Sequence, residues 1–285
     1  MTGIDSKEII SLIEWALRED LGDAGDVTSR FTIPDQKEGR AWIVAKEDLV
    51  LAGLPVAQAV FQTVDPRITV QGSSRDGERI ATGQTIAGIQ GKLISILTAE
   101  RTALNFMQRL SGIATMTAKF VQAVEGTGVK ILDTRKTTPI WRPLEKYAVR
   151  KGGGLNHRQG LFDMILIKDN HIDIAGGIGP AIGKCLNARP GDKTEPAIEV
   201  ETRTLDEVRE ALKYPIQRIM LDNLDPETME EAVRLIGGKV EVEASGNVTL
   251  ENIRRIARTG VDFISVGSLT HSAPAVDLSL RVETV

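Results

Sequence analysis

The chain has 285 residues, more than one average domain, so its length predicts either two domains or one large barrel with an addition. Hydrophobic residues make up 41% of the sequence, and no apolar run approaches the ~18 residues of a membrane helix, so no membrane-spanning segment is expected. A formal net charge of -4 at pH 7 argues against a nucleic-acid-binding surface spread over the molecule.

The N-terminal segment MTGIDSKEIISLIEW predicts an amphipathic helix, because Ile9, Ile13 and Leu17 recur at helical spacing. It carries acidic residues, unlike a basic signal segment, and Cys185 has no partner for an internal disulfide. We therefore expect a protein of the reducing cytoplasm.

The rest of the first hundred residues alternates short strands with a helix. Strand-like runs cover residues 41–45, 68–71 and 85–89, and a helix is predicted over residues 55–64. This α+β pattern indicates a separate N-terminal unit. A long helix then follows over residues 93–124, with a possible break at Ser111 and Gly112.

After Gly128 the pattern becomes strand, loop, helix, repeated. Six strands are predicted, in the runs KILDTRK, DMILIKDN, AIEVE, RIMLDN, VEVEASG and FISVGS. Helix starts are predicted at the capping box of Thr204 and Glu207, at Asp225 before a proline, and at Thr249. The alternation predicts parallel strands, in a doubly wound sheet or an α/β barrel, and the even spacing favours an incomplete barrel.

Acidic residues occupy several of these strands at alternate positions. Because side chains alternate along a strand, Glu199 and Glu201 share one face, as do Glu241 and Glu243, and Asp222 lies opposite its apolar neighbours. If the apolar faces meet the helices, these acids point into the barrel. Buried carboxylates need cations, so basic residues or a metal should lie nearby.

Candidate cations are concentrated in one stretch, residues 130–171, which holds nine Lys and Arg residues against four acidic ones. Arg135, Lys136 and Lys168 each lie near the end of a predicted strand. In a parallel barrel these ends carry the active site. The alternative is a closed ion-pair network inside the barrel that binds no ligand.

Glycine-containing turns follow the last two predicted strands, at Ser245-Gly246-Asn247 and Val266-Gly267-Ser268. In such turns free backbone N–H groups can bind phosphate, although a single one is more often an ordinary turn. Cations, acids and phosphate turns together suit a phosphorylated sugar and an acidic second substrate. The sequence has no Walker A or GxGxxG pattern and no zinc-type spacing, and Cys185 fits a buried helix thiol better than a nucleophile.

Eight runs together resemble the quinolinate phosphoribosyltransferase family, also called carboxylating nicotinate-nucleotide pyrophosphorylase. The resemblance covers nearly the whole chain and is weakest over the first hundred residues. The runs are ERTALNFMQRLSGIAT, ILDTRKT, YAVRKGGGLNHRQGL, MILIKDNH, IEVE, IMLDN, EASGN and ISVGSLTHSAPAVDLSL.

This resemblance implies an N-terminal α/β sandwich domain, residues 1–112 joined by the tail 273–285, beside an open α/β barrel, residues 113–272. It implies transfer of the phosphoribosyl group of phosphoribosyl pyrophosphate to quinolinate, with decarboxylation, to give nicotinate mononucleotide, pyrophosphate and CO2 in NAD biosynthesis. Mg²⁺ is the implied cofactor. The implied assembly is a homodimer or a higher oligomer, with no nucleic-acid or membrane partner.

The resemblance also implies roles for individual residues. Arg101 would reach into the partner subunit's site. The quinolinate pocket would be lined by Arg135, Lys136, His157, Arg158 and Lys168, with Thr134 as a further substrate-binding residue. Glu201 and Asp222 would hold the ribose hydroxyls and the metal-bound sugar phosphate, and with Lys136 and Lys168 they are the candidate catalytic residues. Phosphate would be bound by Ser245, Gly246, Asn247, Val266, Gly267 and Ser268.

Three alternatives remain open at this point. A related phosphoribosyltransferase for another aromatic acid would keep the phosphate turns and change the basic pocket. A non-catalytic phosphate-binding barrel would bind ligand without releasing pyrophosphate. An aldolase would use Lys168 to form a Schiff base with a carbonyl substrate.

Overall fold

The computed structural model describes residues 6–188 and 196–283, and these residues form two compact units. Of the described residues, the first unit contains 6–118, 143–153 and 273–283, and the second contains 119–142, 154–188 and 196–272. Residues 1–5 and 284–285 of the predicted N-terminal domain and tail lie outside the described residues, as do residues 189–195. The predicted boundary at residue 112 stays a prediction.

The first unit is built on a four-stranded antiparallel sheet in the order β12-β1-β5-β3. Its strands are β1 Glu38–Ala45, β3 Thr69–Gly72, β5 Thr85–Lys92 and β12 Leu278–Glu283, beside the short pair β2 Leu49–Val50 and β4 Arg79–Ile80. The helices that lie wholly or mainly in this unit are α1 Ser6–Leu21, α2 Val27–Thr32, α3 Leu54–Val64, α4 Leu93–Ala123 and α5 Arg142–Lys151. The predicted strands and helices of this region are confirmed.

The predicted break in the long helix is wrong, because α4 runs without interruption through Gly112. A Cβ at Gly112 would lie 2.0 Å from the carbonyl oxygen of Pro274, so the glycine permits close backbone packing there. The hydroxyl of Ser111 donates to the carbonyl of Ala52 and accepts its amide, both at 3.0 Å. Contacts with residues remote in the chain therefore explain why Ser111 and Gly112 occur within this helix.

The second unit is built on six parallel strands in the order β6-β11-β10-β9-β8-β7. These are β6 Lys130–Leu132, β7 Ile165–Ile167, β8 Ile198–Thr202, β9 Arg218–Asp222, β10 Glu241–Ser245 and β11 Phe263–Ser265. The intervening helices are α6 Asp169–Ala175, α7 Ile178–Ala188, α8 Leu205–Ala211, α9 Pro226–Ile236, α10 Ile253–Ala257 and α11 Ser268–His271. All six predicted strands are present.

Among the described residues, β6 and β7 are both edge strands and do not pair with each other. A single parallel bridge from Leu132 to Leu155 lies beside β6 instead. The barrel is therefore open, which confirms the predicted class: an α/β protein with an open α/β barrel and an N-terminal α/β sandwich. None of the described helices combines the length and the apolar character that a membrane span requires.

Two of the three predicted helix starts are confirmed. Thr204 accepts the N–H of Glu207 at 3.2 Å, and Asp225 accepts the N–H of Thr228 at 2.9 Å with proline in the first turn. The predicted cap at Thr249 is wrong. The amide of Thr249 donates to Oδ1 of Asn252 at 2.8 Å, and this local turn delays α10 until Ile253.

Candidate active site

A cavity of about 740 Å³ opens in the second unit, where the parallel strands end. Such strand ends are the usual place for the active site of an α/β barrel. The structure brings into this one cavity most of the residues proposed from the sequence: Thr134, Arg135, Lys136, His157, Arg158, Lys168, Glu201, Asp222, Ser245, Gly246, Asn247, Gly267 and Ser268.

Two proposed residues do not line the cavity. Val266 is only 1% exposed, and its amide donates to the carbonyl of Leu132 at 2.9 Å, so its N–H is used within the fold. Arg101 is exposed on α4 in the first unit. Its proposed place in a partner subunit's site stays a prediction.

Cationic side chains come from the loops after β6 and β7 and from the segment before β7. Burial lowers the pKa of Arg158, and the positive charge of Arg135 lowers it further. Two guanidinium groups close enough to disfavour each other's charge would be stabilised by a dianion between them. Lys168 Nζ lies 2.5 Å from Glu201 Oε2, so Lys168 forms an ion pair with a carboxylate of β8.

Glu199 on β8 and Glu243 on β10 are fully buried in the barrel, with β9 between their strands. Burial raises the pKa of each carboxyl, and for Glu243 the neighbouring Glu199 adds to the rise, so that each pKa is about 7. Arg218 opposes this effect, since its Nη1 donates to Glu243 Oε2 at 3.0 Å. Ion pairs of buried residues thus occur inside the barrel, but next to an open cavity and not as the closed network of the alternative.

Glu241 corrects the prediction that all four strand glutamates point inward. It is the first residue of β10, is exposed, and pairs with Arg218 at 2.8 Å. Glu241 and Glu243 share a strand face, but the strand begins at Glu241, so only Glu243 lies inside the barrel.

The turn at Gly246 has the left-handed backbone form expected of an anion-binding loop. Gly246 has φ of 97°, and a Cβ there would lie 2.1 Å from Oδ1 of Asn223. Asn247, at φ of 49°, donates from Nδ2 to the same oxygen at 3.0 Å. None of the loop hydrogen bonds of the described residues uses the amides of Gly246, Asn247 or Gly267, so these N–H groups are available to a phosphate.

Metal binding has two candidate locations. Glu201 and Asp222 both line the cavity, and carboxylate oxygens are the ligands that Mg²⁺ prefers, with substrate phosphates completing its shell. His157, Glu199 and Glu243 also offer ligand atoms within 4.8 Å of one another. Arg218 already supplies a positive charge to that second group, so the first location fits a divalent cation better.

Sequence reasoning missed several residues that line the cavity, among them Asp169, Asn223, Thr249 and His271. Asn223 gave a usable signal, since asparagine directly after a strand favours the left-handed conformation, and its φ is 55°. The other three lie in α6, in the segment before α10 and in α11. Cys185 is half-buried on α7 and does not line the cavity.

Comparison with known protein families gives two matches, which together span most of the chain. Residues 26–111 match the N-terminal domain of quinolinate phosphoribosyl transferase, and residues 113–281 match its C-terminal domain.

Curated relatives agree with these matches. The chain is 47% identical to quinolinate phosphoribosyltransferase [decarboxylating] 1b of Nicotiana tabacum, over 97% of this chain and 83% of the relative. It is 45% identical to a probable nicotinate-nucleotide pyrophosphorylase [carboxylating] of Synechocystis, over 95% of this chain and 91% of the relative.

Solved structures give the same result. NadC from Streptococcus pyogenes superposes with a TM-score of 0.95 at 40% identity, over 100% of both chains. The nicotinate-nucleotide pyrophosphorylase from Francisella tularensis superposes with a TM-score of 0.93 at 41% identity, over 98% of both chains. With the cavity described above, these matches show that the chain belongs to the quinolinate phosphoribosyl transferase family.

Proposed function

We propose that this chain transfers the 5-phosphoribosyl group from phosphoribosyl pyrophosphate to quinolinate, with decarboxylation, giving nicotinate mononucleotide, pyrophosphate and CO2 in NAD biosynthesis. The observation that carries the proposal is a single cavity that joins a cluster of cations, two carboxylates and two glycine turns. Each of these groups is suited to bind a chemical group of one of the two substrates.

The cationic side of the cavity suits quinolinate, which carries two carboxylates on one aromatic ring. Arg135 and Arg158 can each bind a carboxylate in a bidentate manner, and Lys136 and Lys168 add compact positive charges. The lowered pKa of Arg158, caused by burial and by Arg135, means that an incoming dianion relieves unfavourable electrostatics. A neutral aromatic ligand would not do so.

The carboxylates and glycine turns of the cavity suit the sugar phosphate. The free amides of the Gly246 and Gly267 turns can hold the 5-phosphate. Glu201 and Asp222 lie at the ends of neighbouring strands, β8 and β9, where they can accept hydrogen bonds from the ribose hydroxyls. The two substrates would then lie side by side in one cavity.

In the proposed reaction the pyridine nitrogen forms a bond to the anomeric carbon while that carbon's bond to the pyrophosphate oxygen breaks. Positive charge develops on the sugar, and the carboxylates of Glu201 and Asp222 stabilise it electrostatically. Lys136 and Lys168 neutralise carboxylate or pyrophosphate charge. Holding the nitrogen against the anomeric carbon supplies much of the rate, since well-oriented reactants gain up to about 7 to 11 kcal/mol.

Decarboxylation follows from the same chemistry. Once the ring nitrogen carries the ribosyl group it is cationic, so it stabilises the electron pair left on the ring carbon when the bond to CO2 breaks. That carbon then takes up a proton. The residues around quinolinate need only orient the ring and keep water from the sugar cation.

Mg²⁺ is the cofactor we propose. Glu201 and Asp222 would hold it together with oxygens of phosphoribosyl pyrophosphate, which fits the preference of this ion for one or two carboxylates plus substrate phosphates. When bound, it would neutralise charge on the pyrophosphate leaving group.

We also propose that the chain is a homodimer in which Arg101 completes the partner subunit's site, and that it works in the cytoplasm. Large exposed apolar side chains support association: in the second unit Leu161 is 73% exposed and Phe162 is 80% exposed. Mixing Arg101→Ala with Lys168→Ala, at a quinolinate concentration too low for either variant alone to turn over efficiently, should restore part of the activity if Arg101 acts across subunits. No restoration after subunit exchange would count against that role.

The direct test combines the protein with quinolinate, phosphoribosyl pyrophosphate and Mg²⁺ and follows nicotinate mononucleotide, pyrophosphate and CO2. We expect all three products in equal amounts. Nicotinate in place of quinolinate is the control for another aromatic acid as substrate. Pyrophosphate release with nicotinate but not with quinolinate would overturn the substrate assignment, and ligand binding without pyrophosphate release would indicate a non-catalytic barrel.

A further inference from the structure

Three fully buried carboxylates surround His157, the residue that precedes Arg158. They are Asp133, Glu199 and Glu243, and each is 0% exposed. Burying a carboxylate costs free energy unless polar partners compensate, so three of them around one residue call for an explanation.

These acids contact the main-chain amide and the ring Nε2 of His157. Its amide donates to Asp133 Oδ1 at 2.9 Å, and its ring Nε2 lies 3.0 Å from Glu199 Oε2 and 3.5 Å from Glu243 Oε2. Its other ring nitrogen, Nδ1, accepts the amide N–H of Arg158 at 2.7 Å. Since Nδ1 is an acceptor, the ring proton lies on Nε2 and faces the acids.

Asp133 connects two loops that carry cations. Its Oδ2 accepts Nδ2 of Asn156 at 2.5 Å, and its amide donates to the carbonyl of Leu155 at 3.2 Å. It directly follows β6 and precedes Thr134 and Arg135, so one buried carboxylate holds the start of the first cationic loop against the segment that contains His157.

The other two acids lie on β8 and β10, with β9 between them, and Arg218 of β9 supplies a positive charge to Glu243. Glu243 accepts Nη1 of Arg218 at 3.0 Å, and the Arg218 guanidinium lies 4.1 Å from the ring centroid of Phe263. Neither oxygen of Glu199 receives a hydrogen bond of standard geometry from the described residues. Its close contact with the His157 ring is therefore mainly electrostatic and holds that ring in place.

We propose that Asp133, Glu199 and Glu243 are positioning residues for the dicarboxylate subsite: they fix the main chain and ring of His157, and through its Nδ1 the main chain of Arg158, whose Nη1 donates to the carbonyl of Met164 at 3.1 Å. In this arrangement Nδ1 of His157 accepts the amide of Arg158, and Nε2 lies between the buried carboxylates of Glu199 and Glu243. The proposal rests on the proposed function, since it assumes that Arg158 binds a carboxylate of quinolinate.

The first test is Glu199→Gln, which keeps the shape of the side chain and removes its charge. We expect the KM for quinolinate to rise about tenfold, the scale of one lost charge-assisted contact, while the KM for phosphoribosyl pyrophosphate stays within about twofold. Asp133→Asn, which leaves one acceptor oxygen, should give a smaller rise than Asp133→Ala. The conservative change thereby rescues part of the function.

The second test asks whether Glu199 acts through His157. In a His157→Phe background, Glu199→Gln should change the KM for quinolinate no further, because the group that it positions is gone. Equal, additive effects in both backgrounds would overturn the proposal. If Glu199→Gln does not fold, Glu243→Gln is used in the same cycle with the same expectation.

Asp65→Asn is the matched control. Asp65 is a nearly buried carboxylate of the first unit that pairs with Arg67 at 2.8 Å, so its loss should lower stability and leave both KM values unchanged. An assay of quinolinate turnover by the unmodified chain distinguishes failure of the proposed function from failure of the positioning role. No turnover of quinolinate removes the proposed function itself, whereas normal turnover with an unchanged KM in Glu199→Gln removes the positioning role alone.

Discussion

Buried carboxylates occur in both units of the chain, but their partners differ. In the first unit, Glu145 is fully buried and accepts Arg109 Nη2 at 3.0 Å, and Asp65 receives two side-chain N–H groups of Arg67. In the second unit, Glu199 lacks a standard hydrogen bond from the described residues, and Glu243 leaves Oε1 without one. The two carboxylates of the first unit are thus paired with arginines, whereas Glu199 and Glu243 near the cavity keep hydrogen-bonding capacity that the described residues do not fill.

The largest effect should come from the acids at the strand ends. Asp222→Ala or Glu201→Ala should lower kcat by about 10²- to 10³-fold, because each removes preorganised negative charge from the developing sugar cation. Steady-state kinetics with both substrates saturating measure it. Asp206→Ala, which removes a highly exposed carboxylate of α8, is the control and should leave kcat unchanged. A kcat loss under about threefold in both site variants would contradict their catalytic role.

The next effect concerns the cations. Arg135→Ala or Lys168→Ala should raise the KM for quinolinate by about 10- to 100-fold, since each loses a charge-assisted contact with a carboxylate. Initial rates at varied quinolinate and fixed phosphoribosyl pyrophosphate test it. Arg209→Ala, on the exposed face of α8, should have no effect. Unchanged kcat/KM for quinolinate in Arg135→Ala would remove that residue from the pocket.

A smaller effect is expected at the phosphate turn. Gly246→Ala places a methyl group against Asn223 and forces a left-handed backbone, which costs about 1 to 3 kcal/mol of stability and should raise the KM for phosphoribosyl pyrophosphate about tenfold. Gly126→Ala is the matched control, with φ of 79° and no atom within 4 Å of the added methyl. Equal effects of both changes on KM would show that backbone strain alone is responsible.

The smallest effect should come from the first unit. Hydrogen bonds from Arg67 hold the pKa of Asp65 well below its ordinary value. The pair therefore adds stability above the ordinary pKa of 3.8 and loses it as the pH falls further, toward the folded-state pKa. Asp65→Asn should lower the free energy of unfolding by about 1 kcal/mol at pH 7, since Arg67 is largely exposed. Urea titrations at pH 7 and pH 3 should show the difference shrinking at the lower pH.

Much of the second unit was predictable because its signals are local. Apolar strands at even spacing, separated by caps such as Thr204 and Asp225, identify parallel strands and the helices between them. Strand ends of such a sheet share one edge, so Arg135, Lys168 and Asp222 could be placed together from the sequence alone.

The failures depend on contacts and strand limits that residue spacing does not define. Gly112 ends no helix because Pro274 packs closely on it, and Glu241 is exposed because its strand begins at that residue. The main-chain nitrogen and Nε2 of His157 contact buried acids from three different strands or strand ends. Neither spacing nor propensity records such contacts.

The sequence by itself determined the class of most segments, the family, and the kinds of side chain at the strand ends. These features follow from periodicity, turn residues and motifs, which involve residues close together in the chain. Only the tertiary structure decided which acids are buried, which amides are free and where each histidine nitrogen points. Those properties depend on burial and on distances of a few ångström between residues far apart in the chain.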